Sequence, residues 1–190
     1  WQAADFEAVS KKVALESAVL LKNEQNLLPL QAGLNVAVID EMAEKPHYQG
    51  AGSSRVNPLR VVSFVNALRE EQLNWPYARG YALGGKENAR LEQEALDLCR
   101  GKDAILIFAG LGDTEEAESY DRLHLELPEA QNALIERIAS ENPNVVVVLH
   151  AGSPVLLPWL GKVKAVLLMR LAGQMVGAAT LDLLLGRANP

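Results

Sequence analysis

Apolar residues along this chain follow two patterns, short unbroken runs and longer stretches with helical spacing. The unbroken runs are rich in β-branched residues and predict strands that are buried on both faces. These strands are predicted at NVAVI (35–39), AILIFAG (104–110), VVVVLH (145–150) and AVLLM (165–169), and YARGYAL (77–83) is a weaker candidate.

The stretches around these strands carry apolar residues at steps of three and four, as one face of a helix does. For the first helix, Asp5 is the predicted N-cap and the predicted apolar face consists of Phe6, Val9, Val13, Ser17 and Leu20. Three further helices are marked by Val61, Val65 and Leu68 after Pro58, by Ala89, Glu92, Leu96 and Cys99, and by Ala130, Leu134, Ile135 and Ile138 after Pro128. A last helix is predicted from Gln174 to Leu185, with Gly186 as its C-cap.

Strands that are apolar on both faces and alternate with helices indicate a parallel sheet covered by helices on both sides. We therefore predict an α/β fold, a flavodoxin-like doubly wound sandwich with a mostly parallel sheet of five to six strands. One domain is expected over residues 1–190, a length that buries about 70% of the unfolded surface. Both ends look cut, because the first helix begins almost at residue 1 and the final RANP has no closing element.

Composition narrows the classes of partner. A formal net charge of −6 without a compensating basic patch argues against nucleic acid. No apolar run reaches the roughly 18 to 20 residues of a membrane span, and the start of the chain lacks the layout of a signal peptide. The lone Cys99 excludes an internal disulfide and a cysteine-rich metal site. The compartment stays open, with the cytoplasm favoured over a periplasmic or secreted location.

Ligands of doubly wound folds bind beyond the carboxyl ends of the strands. The acidic stretch EEAESYDRLHLELP (115–128) follows such a strand end, so its position suits a site. Spacing alone does not separate a functional carboxylate from a solvated loop, because loops are polar in any case.

Other motifs are weak. GAGSSR (50–55) lacks the lysine of a phosphate-binding loop, GLG (110–112) lacks the third glycine of a dinucleotide fingerprint, and DTEEAESYD (113–121) lacks the central glycine of an EF-hand. The histidines have no metal-ligand spacing, and Ser153 before a proline is typical of a turn. We expect neither metal nor cofactor. The tryptophans could stack on sugar rings, but a core or interface position is favoured.

One segment resembles a known family. ALESAVLLKNEQNLLPL (14–30) is similar to the segment that opens the second domain of glycoside hydrolase family 3. The resemblance covers essentially the whole chain, in the family's order, through YQGAGSSRVNP, ARGY, ESYDRLHLELP, NPNVVVVLHAGSPV, GQMVGAA and LLLGRANP.

This resemblance implies a retaining, exo-acting enzyme, with a β-glucosidase favoured. In the family a preceding (β/α)8 barrel supplies the Asp nucleophile, and the sandwich domain lends the acid/base Glu in a Glu-Gly-Tyr-Asp-Arg-like motif. Here the motif reads ESYDR (118–122), so the resemblance assigns the general acid/base to Glu118 and implies that Ser53 approaches the same sugar. For Asp121 and Arg122 we expect an ion pair that shapes the loop rather than contact with sugar.

The chemistry explains why two carboxyl groups are needed. A retaining glycosidase places them about 5 to 5.5 Å apart, one attacking the anomeric carbon and the other protonating the leaving oxygen. The acid benefits from a raised pKa. We expect the pKa of Glu118 to be raised by Glu115, Glu116 and Asp121 and lowered by Arg122. Glu115 and Glu116 themselves are interpreted as parts of a solvated loop.

Two positions depart from the family's pattern. Asp40 stands where glycine is usual, and we favour a turn cap over a side chain that lines the cleft. Ser119 also replaces a usual glycine, so the turn beside Glu118 gives up backbone freedom.

The resulting hypothesis is the acid/base half of a retaining exo-β-glycosidase that acts on terminal β-linked glucose or a similar sugar. Its expected partners are the barrel of the same parent chain and the β-glycoside substrate. The isolated chain should be inactive, should self-associate through an exposed docking face, and should be least ordered over residues 110–128. One alternative is a non-catalytic sugar- or nucleotide-binding flavodoxin-like module. Another is a β-N-acetylglucosaminidase, which is disfavoured because those members generally take their acid/base from the barrel.

Overall fold

The computed structural model describes residues 3–81 and 87–190. Within these ranges it has a sheet of six strands, in the spatial order β1-β6-β5-β4-β2-β3. Only β1 runs antiparallel to its neighbour; the other pairs are parallel. The strands are β1 (Val19–Asn23), β2 (Val36–Ile39), β3 (Tyr77–Ala78), β4 (Ala104–Gly110), β5 (Val145–His150) and β6 (Ala165–Leu168).

Helices cover both faces of this sheet. Successive strand side chains point to opposite sides, so the apolar strands present side chains to be buried on each face. Val36 and Val38 of β2 pack with three helices on one face, whereas Ala37 and Ile39 pack with two helices on the other. The helices are α1 (Ala3–Ser17), α2 (Phe64–Glu70), α3 (Ala89–Cys99), α4 (Glu129–Glu141) and α5 (Val176–Leu184); α1, α2 and α5 share the first face. The predicted α/β sandwich is confirmed, and none of the described helices is long and apolar enough to span a bilayer.

The strand order matters for the site. The five parallel strands have the flavodoxin order: β3 lies on one side of β2, and β4, β5 and β6 follow on the other, so the strand order reverses between β2 and β4. The loops that leave the carboxyl ends of β2, β4 and β5 therefore meet at one edge of the sheet.

The first helix was predicted with the wrong face and the wrong end. Phe6, Val9 and Val13 are more than half exposed, and α1 packs on α5 through small residues such as Ala14 instead. The helix starts at Ala3, so Asp5 lies in its first turn and is not its N-cap. Leu20 lies in β1, which the sequence pattern missed.

Other boundaries differ by smaller amounts. Helix α2 begins at Phe64, because the Ser63 hydroxyl caps it by accepting a hydrogen bond from the Asn66 amide. The YARGYAL run pairs with β2 only at Tyr77–Ala78, and its last two positions lie outside the described residues. The C-cap of α5 is Leu185, one residue before the predicted Gly186, which follows it with φ +70°.

Candidate active site

The loop between β4 and α4, residues 111–128, is here called the acidic loop. It meets the loop that follows β2 through a single parallel bridge between Ala51 and Ala117. The Ala51 amide donates to the Glu116 carbonyl and the Glu118 amide donates to the Ala51 carbonyl, each with a donor–acceptor distance of 3.4 Å. The bridge places Glu118 at the carboxyl edge of the sheet, where this fold binds its ligands.

The side chain of Glu118 is exposed, and its Oε2 accepts a hydrogen bond of 2.9 Å from the Ser53 amide. Gly52 makes this approach possible: it has φ +91°, and a Cβ at this position would lie 2.7 Å from the Cβ of Glu118. The structure thus brings together Glu118 and Ser53, two residues that are distant in sequence and that the family resemblance assigned to one site.

The pKa of Glu118 is lowered, chiefly because Ser53 hydrogen-bonds to its charged form. The expectation that Glu115, Glu116 and Asp121 would raise the pKa of Glu118 is therefore wrong for this chain. The carboxylate lies in water beside a donor, so neither desolvation nor neighbouring charge dominates.

Glu116 does not belong to a solvated loop, contrary to expectation. Only 9% of its side chain is exposed, and its carboxylate accepts hydrogen bonds from the Gly152 amide (3.0 Å), the Ser153 amide (2.7 Å) and the Ser153 hydroxyl. His47 Nε2 lies 3.3 Å from Oε2. Burial acts to raise the pKa of Glu116, but the contact with His47 and the hydrogen bonds from Gly152 and Ser153 outweigh it and lower the pKa to about 2.

Arg122 reaches the same segment. Its Nη2 donates to the Ser153 hydroxyl (3.0 Å) and to the Pro154 carbonyl (2.7 Å). Asp121 is exposed, and within the described part of the chain it forms no ion pair with Arg122, so that expectation is wrong. The guanidinium is turned toward the main chain after β5 instead.

A cleft of about 500 Å³ opens beside the acidic loop, at the point where the strand order reverses. Asp40 and Tyr81 line it and are almost fully buried. As expected of a cap, Asp40 Oδ1 accepts from the Met42 amide (2.8 Å). Its Oδ2 and the Tyr81 hydroxyl have no hydrogen-bond partner among the residues described. Burial raises the pKa of Asp40 well above its usual value.

His47 and His150, which are far apart in the sequence, lie close together beneath the acidic loop. His47 Nδ1 lies 3.3 Å from Asp113 Oδ1. His150, at the end of β5, is buried against Phe108. Burial and the nearby His47 lower the pKa of His150 to about 4, which keeps its imidazole neutral near pH 7. Over residues 3–81 and 87–190, no group of three or more His, Cys, Asp or Glu side chains could hold a metal ion.

Comparison with known proteins decides the family. Residues 18–190 match the family model described as the glycosyl hydrolase family 3 C-terminal domain. The chain belongs to glycoside hydrolase family 3.

Relatives within family 3 extend well beyond this chain. It is 41% identical over 189 residues to thermostable beta-glucosidase B of Acetivibrio thermocellus, an alignment that covers 96% of this chain and 25% of the relative. It is 38% identical over 195 residues to an exo-alpha-(1->6)-L-arabinopyranosidase of Bifidobacterium longum, covering 97% and 26%. The crystal structure of the Bifidobacterium adolescentis family 3 beta-glucosidase has a TM-score of 0.93 and 37% identity over 98% of this chain and 28% of its own. The chain thus spans about a quarter of the length of these proteins.

The two positions that depart from the family 3 pattern both carry unusual backbone. Asp40 has φ +94° and Ser119 has φ +70°, conformations that glycine adopts without strain. Both therefore keep the backbone of a glycine with a larger residue in its place.

Sequence reasoning missed Glu116, His47 and Ser153 as members of the site. A signal was present, since AGSP (151–154) directly follows the predicted strand VVVVLH, where backbone amides at a strand's carboxyl end are available to a carboxylate. The tryptophans are as expected where the structure describes their side chains: Trp159 is fully buried, and Trp75 packs on Phe64.

Proposed function

We propose that this domain supplies the general acid/base, Glu118, of a retaining exo-β-glycosidase, and that the parent enzyme hydrolyses terminal β-linked glucose or a similar sugar. One observation carries the proposal: the Glu118 carboxylate stands exposed on the acidic loop at the carboxyl edge of the sheet, oriented by the Ser53 amide. The family 3 relatives named above, a beta-glucosidase and an arabinopyranosidase, support glycoside hydrolysis by the parent.

The proposed reaction has two steps. In the first, an Asp of the barrel attacks the anomeric carbon while the bond to the leaving oxygen breaks, and Glu118 gives its proton to that oxygen. In the second, Glu118 takes a proton from water as the water oxygen displaces the Asp from the same carbon. Ser53 holds the carboxylate, and Arg122 holds the loop.

The pKa of Glu118 supports a need for the second domain. A glutamate is ionised near pH 7 unless its pKa is raised; because Ser53 lowers the pKa of Glu118 instead, this residue has no proton to donate in the isolated chain. Burial against barrel and substrate, together with the negative charge of the nucleophile, would raise it. The 190-residue chain alone is therefore inactive, and it self-associates through the face that the barrel covers in the parent.

One observation favours a second candidate function. The cleft lined by Asp40 and Tyr81 holds two buried polar atoms without partners among the described residues, and such atoms suit a small polar ligand. This matches the sugar-binding module without catalysis. Glucose binding to the 190-residue chain that Asp40→Ala abolishes, combined with a full-length Glu118→Ala enzyme that keeps its activity, would favour this alternative.

The deciding experiment compares full-length enzyme with its Glu118→Ala variant. On substrates with poor leaving groups, turnover should fall roughly 10²- to 10⁴-fold, the usual contribution of a positioned general acid. Activated aryl glycosides should lose much less in the first step, because their leaving oxygen needs little protonation, and azide should partly restore the second step.

Equal losses on both substrate classes without azide rescue would contradict the proposal. So would turnover of an aryl β-glucoside by the 190-residue chain above a matched Glu118→Gln control.

A further inference from the structure

We propose that Glu116 is a positioning residue for the acid/base, an inference that rests on the role proposed for Glu118. Its carboxylate fastens the acidic loop to the main chain after β5 and so fixes the place from which Glu118 acts. Glu116 does not touch the reacting atoms in this scheme. It acts through the geometry of residues 117–121.

The attachments of the loop define this geometry. Glu116 binds the amide and hydroxyl of Ser153, and Arg122 binds the same hydroxyl from the other side. Residues 117–121, which include Glu118, therefore run between two attachments that share one residue. The Glu118 carboxylate itself is held by Ser53, whose amide donates to Oε2.

The support beneath these attachments is rigid. Ser153 follows β5, a strand that is buried along its whole length between β4 and β6. A Cβ at Gly152 would lie 2.9 Å from the end of the Leu171 side chain, so a larger residue there would displace that side chain. The amides of Gly152 and Ser153 lie two and three residues beyond the buried strand, and the loop bound to them is positioned from that strand.

A carboxylate suits this position better than an amide or a hydroxyl. The Gly152 amide, the Ser153 amide and the Ser153 hydroxyl all approach Glu116, and an ionised carboxylate accepts from each of them. A glutamine would present an NH₂ group to one of these donors. The neighbouring Glu115 differs, because it accepts from the Gly112 amide and the Thr114 hydroxyl of its own loop. Glu115 is therefore a matched control.

Misplacement of a catalytic group by about 1 Å can cost on the order of 10²-fold in rate. Loss of the Glu116 attachment should therefore act on the steps that use Glu118. It should weaken proton donation to poor leaving groups more than reactions that need little protonation, which separates positioning from a general loss of folded enzyme.

The test measures kcat and KM of full-length Glu116→Ala, Glu116→Gln and Glu115→Ala on a poor and on an activated leaving group. For Glu116→Ala we expect kcat/KM, which reports the first step, to fall about 10- to 100-fold on the poor leaving group and less than about 3-fold on the activated one. Glu116→Gln should lie between this variant and the wild type. Azide should give no rescue, since Glu118 is still present. Glu115→Ala should match the wild type on both substrates.

Equal loss of kcat/KM on the two substrates for Glu116→Ala, in an enzyme whose Glu118→Ala variant shows the leaving-group dependence, would overturn this inference alone. Absence of that dependence in Glu118→Ala would remove the proposed function and this inference with it. If Glu116→Ala fails to fold, Ser153→Ala serves instead, because it removes the hydroxyl shared by both attachments and keeps the backbone donors. It should show the same dependence at smaller size, and a uniform loss there would also contradict the inference.

Discussion

The anchored end of the acidic loop, at Glu116, and its open part, at Glu118, stand two positions apart and have opposite environments. The Glu116 side chain is 9% exposed and binds the Gly152 and Ser153 main chain, whereas the Glu118 side chain is exposed and held by Ser53. Sequence charge treats the two residues alike. Their partners separate them into a structural attachment and a candidate acid/base.

The comparison shows how an exposed carboxylate, that of Glu118, can be positioned by a buried attachment two residues away. The Glu116 carboxylate, which holds the loop, accepts hydrogen bonds from backbone amides. The Glu118 carboxylate, which is proposed to react, stays exposed and accessible to substrate. Because Glu116 stays ionised down to about pH 2, the attachment holds over the whole range in which Glu118 would exchange protons.

The largest expected effect on stability belongs to Glu116→Ala. Removing this carboxylate leaves the Gly152 and Ser153 amides without their acceptor, which costs roughly 2 to 3 kcal/mol of unfolding free energy, whereas Glu118→Ala, at an exposed side chain, should cost much less. The pKa of Glu116 is lowered in the fold, so its contribution is complete above about pH 4.5 and disappears as the pH falls toward 2. Urea denaturation of the 190-residue chain at pH 6 and pH 3 measures both. Equal urea midpoints for Glu116→Ala and Glu118→Ala at pH 6 would contradict the claim that Glu116 stabilises the fold and Glu118 does not.

A smaller and opposite effect is expected at Asp40, a buried carboxyl that forms no ion pair with any residue the structure describes. Glycine relieves its backbone strain at φ +94°, which costs about 1 to 3 kcal/mol in other residues, and loses only a few tenths of a kcal/mol at the cap. Burial raises the pKa of Asp40 in the fold, so its destabilising effect grows as the pH rises above the unfolded value of about 3.9.

Asp40→Gly should therefore stabilise the chain by about 1 kcal/mol at pH 7 and by less at pH 4. Thermal unfolding at the two pH values gives the comparison. A lower midpoint at pH 7 would show that Asp40 is held by favourable contacts.

The sandwich could be predicted because its central strands are recognisable in the sequence. Strands such as β4 and β5 are buried on both faces, so their sequences are unbroken apolar runs. Strand β1 could not be recognised this way, since it is a half-exposed edge strand whose partner, β6, lies far along the chain. The face of α1 was mistaken for a related reason: Phe6, Val9 and Val13 have ideal helical spacing, but the helix packs through Ala14.

The candidate site divides in the same way. Family resemblance pointed to Glu118 and Ser53, and the structure places them in contact. The role of Glu116 depends on which backbone amides lie next to its carboxylate in the fold. Those amides belong to residues 152 and 153, and the spacing of residues along the chain does not predict this contact. The pKa of Glu118 was misjudged because counting nearby charges ignored its exposure to water.

The contrast between the two ends of the acidic loop can be measured directly by following the side-chain carboxyl carbons of Glu116 and Glu118 by NMR while the 190-residue chain is titrated with acid. We expect Glu116 to titrate near pH 2 and Glu118 below the ordinary value of a glutamate, with Glu118 moving back toward that ordinary value when Glu116→Ala loosens the loop. A Glu116 carboxyl that titrates at or above 4.5 would show that it is solvated after all and would contradict the account.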